Sequence, residues 1–321
     1  MRSLFTLFFI TFSIFLFSQE EKRLALVIGN ANYDKGALKN PVKDAALMKQ
    51  TLEKLNFDVI YSTNLERDRD MKDKIIEFGK KRGEYDVGFI YYAGHGIQIE
   101  GENYLLPTKE KFNCEDDVLN YGVNVQTIMK YLKSTNNSVN VLVLDACRDN
   151  PLEQINCPTS SRSLNNGGLA KLPAPTGSLI AFSTSANTTA SDGIGKNSLF
   201  CQSLAMNLIK PDKTLNQIFQ NVRSEVLMES KKTGRVQEPE EASKLIGDYY
   251  FIKSDKLNFA KKIISGEIDE DDLITMYGNK TVDLSISYYY NRGQSFFDEK
   301  NYLKAIENYE QAQKLGLIDS L

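Results

Sequence analysis

The chain has 321 residues, of which 41% are hydrophobic and 25% are charged, a composition typical of globular proteins. A formal net charge of −3 gives no polybasic surface, so the sequence argues against nucleic acid as a partner. Four cysteines are too few for a disulfide scaffold at this length, and the single histidine, His95, restricts imidazole chemistry to one position. The sequence also lacks the ligand spacing of zinc sites and a glycine-rich phosphate loop, so neither a metal nor a nucleotide cofactor is predicted.

The first residues have the pattern of a secretory signal. Arg2 precedes an apolar run from Leu4 to Phe17, which is shorter than the about 20 residues that a membrane-spanning helix needs. Ser18 permits cleavage before Gln19, so residues 1–18 are predicted to be a signal peptide. The mature protein is then periplasmic or secreted, without stable membrane insertion. An uncleaved membrane anchor is the alternative, and disulfide pairing in an oxidising compartment stays open.

Apolar strands then alternate with helices as far as about residue 254. Strands are predicted at residues 23–30, 57–62, 87–96, 140–147, 177–185 and 244–252. Helices are predicted at residues 40–55, 68–86, 126–134, 197–210 and 214–230. This alternation indicates βαβ crossovers and a mainly parallel sheet. Residues 155–177, rich in Ser, Pro, Asn and Gly, are predicted to form a long exposed loop.

Two residues that can do acid–base and nucleophilic chemistry follow predicted strands. The stretch YYAGHG places His95 at the end of the third strand, and LVLDAC places Cys147 at the end of the fourth. The carboxyl ends of parallel strands meet at one edge, where ligand sites form. A neighbouring imidazolium would activate the thiol and return its proton to a leaving amine. The glycines flanking His95 leave room for a substrate backbone, and the N–H groups of Gly96 and Cys147 are candidate oxyanion donors. A structural cysteine with a turn histidine is the alternative.

These motifs resemble the caspase clan of cysteine peptidases. A histidine about 50 residues before an Ala-Cys pair is the caspase signature, and here DACR surrounds Cys147. Asp145, two residues before the cysteine, is similar to the metacaspases and paracaspases. FSTSANTTASDG followed by NSLFCQSL also resembles the strand and helix of the caspase small subunit. The resemblance covers about residues 23–252. It implies an α/β fold, a caspase-like three-layer α/β/α sandwich with a mainly parallel sheet.

The resemblance also implies an activity. It indicates a cysteine endopeptidase that acts on protein or peptide substrates, with Cys147 as nucleophile and His95 as general base and acid. Gly96 would form part of the oxyanion hole. Some metacaspases need calcium, and because the sequence has no calcium-loop pattern, calcium dependence stays open.

Three acidic residues are candidates for the pocket that binds the P1 side chain. By similarity to metacaspases these are Asp145 and Asp44, and Asp192 falls where caspases carry an arginine. Three carboxylates favour P1 Arg or Lys through charge-assisted hydrogen bonds and would repel P1 Asp. Structural roles are the alternatives: Asp44 lies in the first turn of a helix, which favours any acid, Asp145 could cap its loop, and Asp192 could stabilise a turn.

Caspases are cut between their two halves, which makes Arg162 and Lys171 in the predicted loop candidate autocleavage sites. A loop that is never processed is the alternative.

The remaining sequence suggests a peptidase domain at residues 21–254, a linker at 255–284 and one helical hairpin resembling a tetratricopeptide repeat at 285–318. Tyr289, Gly293 and Ala305 are among the residues at the repeat's large and small positions. One repeat cannot bury its own apolar face. It therefore docks on the α/β domain or on another chain, unless the natural chain continues past Leu321. A catalytically silent caspase-like scaffold that binds a partner protein through this segment is the second functional hypothesis.

Overall fold

The chain forms two compact units. A computed structural model describes residues 21–133, 139–147, 169–184, 196–234, 236–253, 289, 292–293 and 301–314. The first unit extends to Phe251, and the second comprises residues 252–321 together with residues 210–212. The predicted leader, residues 1–18, lies outside the described residues.

One mixed sheet organises the first unit. Its strands are β1 (Arg23–Gly29), β2 (Phe57–Thr63), β3 (Val87–Ile99), β4 (Glu102–Leu105), β5 (Val123–Asn124), β6 (Val139–Cys147), β7 (Ser178–Phe182) and β8 (Glu240–Ser243). The main order is β2-β1-β3-β6-β7-β8, parallel from β2 to β7 and antiparallel between β7 and β8. The end of β3 also pairs with β4, which in turn pairs with β5, both in antiparallel fashion. The predicted mainly parallel sheet is therefore confirmed.

Helices cover both faces of this sheet. They are α1 (Pro41–Lys54), α2 (Asp68–Lys81), α3 (Glu115–Tyr121), α4 (Val125–Lys133), α5 (Leu199–Leu208) and α6 (Leu215–Lys232). Helix α1 begins at a proline, whose missing N–H costs nothing in the first turn. Helices α5 and α6 begin after capping hydroxyls, since Ser198 accepts from the Cys201 N–H and Thr214 from the Gln217 N–H.

The core lies on both sides of the sheet because its central strands are apolar throughout. In β1, Leu24, Leu26 and Ile28 share a buried cluster with side chains of α2 and α4. Successive strand residues point to opposite faces, so Ala25 and Val27, which are also fully buried, point to the side covered by α1 and α5. Strands buried on both faces read as continuous apolar runs. The three-layer α/β/α arrangement follows from this pattern.

A buried guanidinium anchors the beginning of β6, at the amino end of the parallel strands. Arg82 is only 1% exposed. Its Nε and Nη2 donate to Asn140 Oδ1 at 3.0 and 2.8 Å, and Nη2 also donates to the Val139 carbonyl at 3.2 Å. Burial lowers the pKa of Arg82 to about 10, so the group still carries its charge at neutral pH. The parallel register then continues without a break from the Val87–Val139 pair to the end of both strands.

Residues 244–252 do not form the predicted closing strand. Within the described residues the last strand is β8, and beyond it Tyr250 forms an isolated antiparallel bridge with Thr214. Gly247 has φ +75, a left-handed conformation that interrupts an extended segment. The apolar residues that suggested a strand serve packing instead, since Phe251 contacts the rings of Phe57 and Phe89.

The segment predicted as an exposed loop is anchored in the core at three positions of its described part, although Lys171 between them is exposed. Leu169, Leu172 and Ala174 are 1%, 3% and 4% exposed and belong to the core. The Asn103 side chain fixes the backbone between them, donating to the Ala170 carbonyl at 2.8 Å and accepting from the Ala170 N–H at 2.6 Å. The high Pro and Gly content of the segment predicted a loop, and the burial of these three side chains could not be recognised from composition.

In the second unit the structure describes helix α7 (Tyr302–Lys314). Its Leu303 and Ile306 side chains are exposed. The partner helix of the predicted repeat falls almost entirely outside the described residues, so the helical hairpin at residues 285–318 stays a prediction. Among the residues that the structure describes, no helix is long and apolar enough to cross a membrane.

Candidate active site

His95 and Cys147 form the last register pair between β3 and β6. Paired residues on neighbouring strands are about 4.8 Å apart. The structure therefore brings the backbones of the two predicted catalytic residues together at the carboxyl edge of the sheet. Gly96 follows His95 within β3 and pairs with Leu105 of β4.

The His95 side chain is held by a main-chain carbonyl. Its Nε2 lies 2.6 Å from the Gly36 oxygen, and the residue is 7% exposed. A carbonyl oxygen can only accept a hydrogen bond, so Nε2 carries the proton and the lone pair of the neutral ring is on Nδ1. Gly36 has φ +72, and a Cβ at this position would lie 3.2 Å from Nε2. The absence of a side chain at Gly36 thus permits the close approach of its carbonyl.

Two tyrosine hydroxyls hold the main chain of His95. The His95 N–H donates to Tyr33 Oη at 2.9 Å, and Tyr92 Oη donates to the His95 carbonyl at 2.8 Å. A Cβ at Gly94 would lie 2.6 and 2.7 Å from the hydroxyl oxygens of Tyr92 and Tyr33. The sequence suggested that Gly94 leaves space for a substrate backbone. In the structure that space is occupied by the hydroxyls of Tyr92 and Tyr33.

Asp44 and Asp145 come together around Ser198, although the three residues are distant in sequence. Tyr91 Oη and Ser198 Oγ donate to Asp145 Oδ2 at 2.8 and 3.2 Å. The Asn197 amide and the Ser198 N–H donate to Asp44 Oδ1 at 2.8 and 3.0 Å. Both carboxylates are thus hydrogen-bonded to Ser198, the residue that caps the N-terminus of α5.

This acidic pair has unusual electrostatics. Burial, followed by repulsion from Asp44, raises the pKa of Asp145 to about 7. Burial together with the nearby carboxylates also raises the pKa of the Tyr91 hydroxyl and of the Cys201 thiol well above their ordinary values. Tyr91 therefore remains a hydrogen-bond donor. A cation placed beside the pair would lower the pKa of Asp145 and favour its charged form.

The remaining predicted site residues are Asp192, Arg162 and Lys171. Asp192 and Arg162 lie outside the described residues. Lys171 is exposed, and its Nζ lies 2.5 Å from Glu240 Oε1. Its neighbours Leu169 and Leu172 are buried in the core. In the described part of the chain, no group of three or more His, Cys, Asp or Glu side chains is arranged to hold a metal ion.

Sequence reasoning missed the residues that orient the site. Tyr33 and Gly36 could have been found from topology, because β1 ends at Gly29 and the loop that follows it must lie at the same sheet edge. Ser198 could not have been found in this way. Its contacts depend on how α5 packs beside α1.

The mainly parallel sheet, covered by helices on both faces and ending in an adjacent histidine and cysteine, defines a caspase-like domain. The caspase domain family, peptidase C14, matches residues 22–250. The chain belongs to this family, which confirms the clan inferred from the motifs.

Known relatives align with part of the chain. The human mucosa-associated lymphoid tissue lymphoma translocation protein 1 is 30% identical over 129 residues, covering 39% of this chain and 15% of that protein. A probable protease of a Desulfuromonadales bacterium is 28% identical over 156 residues, covering 40% of this chain and 18% of that protein. The crystal structure of caspase-1 from Spodoptera frugiperda has a TM-score of 0.54 and 17% identity, over 74% of this chain and 92% of the insect chain. This last similarity concerns the fold alone.

Proposed function

We propose that the chain is a cysteine endopeptidase that cleaves peptide bonds after Arg or Lys. Cys147 is the nucleophile, and His95 is the general base and acid. The observation that carries the proposal is the pairing of these residues at the ends of β3 and β6, with His95 Nε2 engaged by Gly36. Membership of the caspase domain family supports peptidase chemistry.

In this mechanism His95 Nδ1 takes the thiol proton, since Nε2 already donates to the Gly36 carbonyl. The Cys147 thiolate attacks the scissile carbonyl carbon, and the Gly96 and Cys147 N–H groups are assigned to the developing oxyanion. Collapse of the tetrahedral intermediate breaks the C–N bond as His95 protonates the leaving amine. Water, with His95 again as base, then hydrolyses the thioester and frees the new carboxyl group.

The acidic pair supports a basic P1 residue. Asp44 is 2% exposed, and Asp145 has its pKa raised to about 7 by burial and by Asp44. A guanidinium or ammonium between these carboxylates would relieve their repulsion and form charge-assisted hydrogen bonds. A P1 Asp would add a further negative charge. Asp192 is a third candidate for the same pocket.

Peptide hydrolysis tests this proposal. The chain from Gln19 and its Cys147→Ala variant are compared on fluorogenic peptides with Arg, Lys or Asp at P1, with and without calcium. Turnover of the Arg and Lys peptides that disappears in the variant is the expected result. A preference for P1 Asp would overturn the predicted specificity.

Thiol reactivity separates an enzyme from a silent scaffold if no peptide is cleaved. A catalytic Cys147 reacts with iodoacetamide faster than Cys114, which is free and partly exposed, and the difference disappears in His95→Ala. Equal rates for the two thiols would favour the scaffold that binds a partner protein.

Self-processing is a separate proposal. A peptidase specific for basic residues would find Arg162 and Lys171 in its own chain, and Arg162 is the better candidate because the neighbours of Lys171 are buried. Intact mass spectrometry is expected to show two fragments for the wild type and one full-length chain for Cys147→Ala. Full-length protein in both samples, under conditions in which the peptide assay shows activity, would contradict self-processing.

Export is also proposed, on the strength of the leader pattern alone. N-terminal sequencing of the mature protein is expected to begin at Gln19, and a chain that retains Met1 would contradict cleavage.

A further inference from the structure

Tyr33 contacts His95 in two independent ways. Its hydroxyl accepts the His95 main-chain N–H at 2.9 Å. Its ring centroid lies 4.3 Å from that of the imidazole, with the two planes tilted by 53°. Gly36, three residues further along the same turn, accepts from Nε2. The turn at residues 33–36 therefore contacts the backbone, the imidazole ring and one ring nitrogen of the histidine.

The position of Tyr33 is itself fixed. It is 8% exposed, and its hydroxyl donates to the Leu106 carbonyl at 3.1 Å and lies 3.3 Å from the Tyr92 hydroxyl. The Leu106 N–H donates in turn to the His95 carbonyl at 3.0 Å. The hydroxyl of Tyr33 is therefore part of a hydrogen-bonded network that includes both main-chain polar groups of His95. A displaced hydroxyl would disturb both ends of this network.

We propose that Tyr33 is a positioning residue for His95, and this inference rests on the proposed peptidase function. Its hydroxyl fixes the main chain at the point where β3 passes the sheet edge, and its ring limits rotation of the imidazole. Because an aromatic ring face attracts a cation, the ring also stabilises the imidazolium that forms when His95 takes the thiol proton. Tyr33 acts only through His95 and does not contact the substrate.

The single histidine allows a test that does not need activity. In protein labelled with 15N-histidine, the two ring nitrogens give one pair of signals, which report the nitrogen that carries the proton. The wild type is expected to show the Nε2–H tautomer, because Nε2 donates to Gly36. Tyr33→Phe keeps the ring and removes the hydroxyl, whereas Tyr33→Leu removes both. Tyr33→Phe is expected to broaden or shift the two ring-nitrogen signals. Tyr33→Leu is expected to give a mixture of the two tautomers.

Tyr104→Phe is the matched control. Tyr104 is 7% exposed, and its hydroxyl donates to Glu102 Oε2 at 3.2 Å. Tyr104→Phe therefore removes the hydroxyl of a buried tyrosine, as Tyr33→Phe does, but the hydroxyl bond that it removes goes to Glu102 and not to His95. Thermal unfolding of both phenylalanine variants verifies that each one folds.

Kinetics complete the test. A misplaced catalytic group loses up to about 100-fold in rate, so we expect kcat for P1-Arg peptides to fall about tenfold in Tyr33→Phe and further in Tyr33→Leu. KM is expected to stay within about twofold, since binding the P1 side chain does not involve His95. Alkylation of Cys147 is expected to slow by the same factor as kcat, and Tyr104→Phe to behave as wild type.

The outcomes distinguish failure of the positioning role of Tyr33 from failure of the proposed peptidase function. The positioning role would be overturned if Tyr33→Phe matched Tyr104→Phe in the His95 ring-nitrogen signals, the alkylation rate of Cys147 and kcat. The behaviour of Tyr33→Leu would not alter that conclusion. A wild type that hydrolyses none of the peptides would count against the proposed function alone. The ring signals and the alkylation rate would still decide whether Tyr33 positions His95.

Discussion

Binding of a basic P1 side chain to the Asp44–Asp145 pair is expected to strengthen as the pH rises. The pKa of Asp145 is raised to about 7 by burial and by Asp44. About nine-tenths of this group is then protonated at pH 6, and about nine-tenths is ionised at pH 8. A guanidinium pairs with the ionised form. Affinity for a P1-Arg peptide is therefore expected to rise about tenfold between pH 6 and pH 8, which is about 1.4 kcal/mol.

Calorimetry on the Cys147→Ala variant measures this effect without turnover or titration of the catalytic thiol. Titrations at pH 6, 7 and 8, in two buffers with different ionisation enthalpies, give both the affinity and the protons released. About half a proton is expected to leave at pH 7, where about half of Asp145 is protonated before binding. A peptide with P1 citrulline, which is neutral, and an Asp145→Asn variant serve as controls, and both are expected to show flat profiles. Affinity that is constant or falls from pH 6 to pH 8, or an equal slope in the asparagine variant, would refute the reasoning.

Other predictions concern stability and orientation. Because the folded-state pKa of Asp145 lies above its ordinary value of 3.8, the folded protein binds the extra proton, and stability is lost as the pH rises from about 4 to about 7. Relative to Asp145→Asn, the wild type is expected to lose roughly 4 kcal/mol at most over this range in urea titrations, and parallel curves would contradict the expectation. Ser198→Ala and Thr214→Ala each remove a helix cap of similar burial and are expected to cost about 1 kcal/mol of unfolding free energy. Only Ser198→Ala, which loses the bond to Asp145, is expected to lower kcat/KM for P1-Arg peptides, by about tenfold, and equal kinetics in both variants would contradict this role. Gly36→Ala places a side chain where φ is +72 and a Cβ would lie 3.2 Å from the His95 ring, and we expect it to cost about 1–2 kcal/mol and to reduce kcat. Unchanged kcat there would show that the carbonyl does not hold the ring.

The central sheet could be predicted from the sequence because its signals are local. Continuous apolar runs bounded by Gly and Asn mark strands buried on both faces, and β1, β2, β3 and β6 appear where these runs are. Parallel strands joined by helices share a carboxyl edge. The proximity of His95 and Cys147 follows from that topology, without any knowledge of side-chain packing.

Other features could not be read from local pattern. Leu169 and Leu172 are anchored in the core by contacts with distant strands, within a segment whose composition is that of a loop. The short strands β4 and β5 were missed because runs of two to four residues give no recognisable period. Ser198 bonds to both Asp44 and Asp145 only once α5 has packed beside α1.

The unbroken register between β3 and β6 limits where this chain can change length. Inserting one residue inside either strand would offset His95 from Cys147 by a position and turn the following side chains to the opposite face. Most of the connection between Ile99 and Val139 is constrained as well, because it contains β4, β5, α3 and α4, each of which has buried side chains. Evolutionary insertions, and reporter tags added by design, are therefore best tolerated where this connection turns outside those elements. The turn at Glu100-Gly101 is a suitable position, since a Cβ on its glycine would meet no atom within 4 Å.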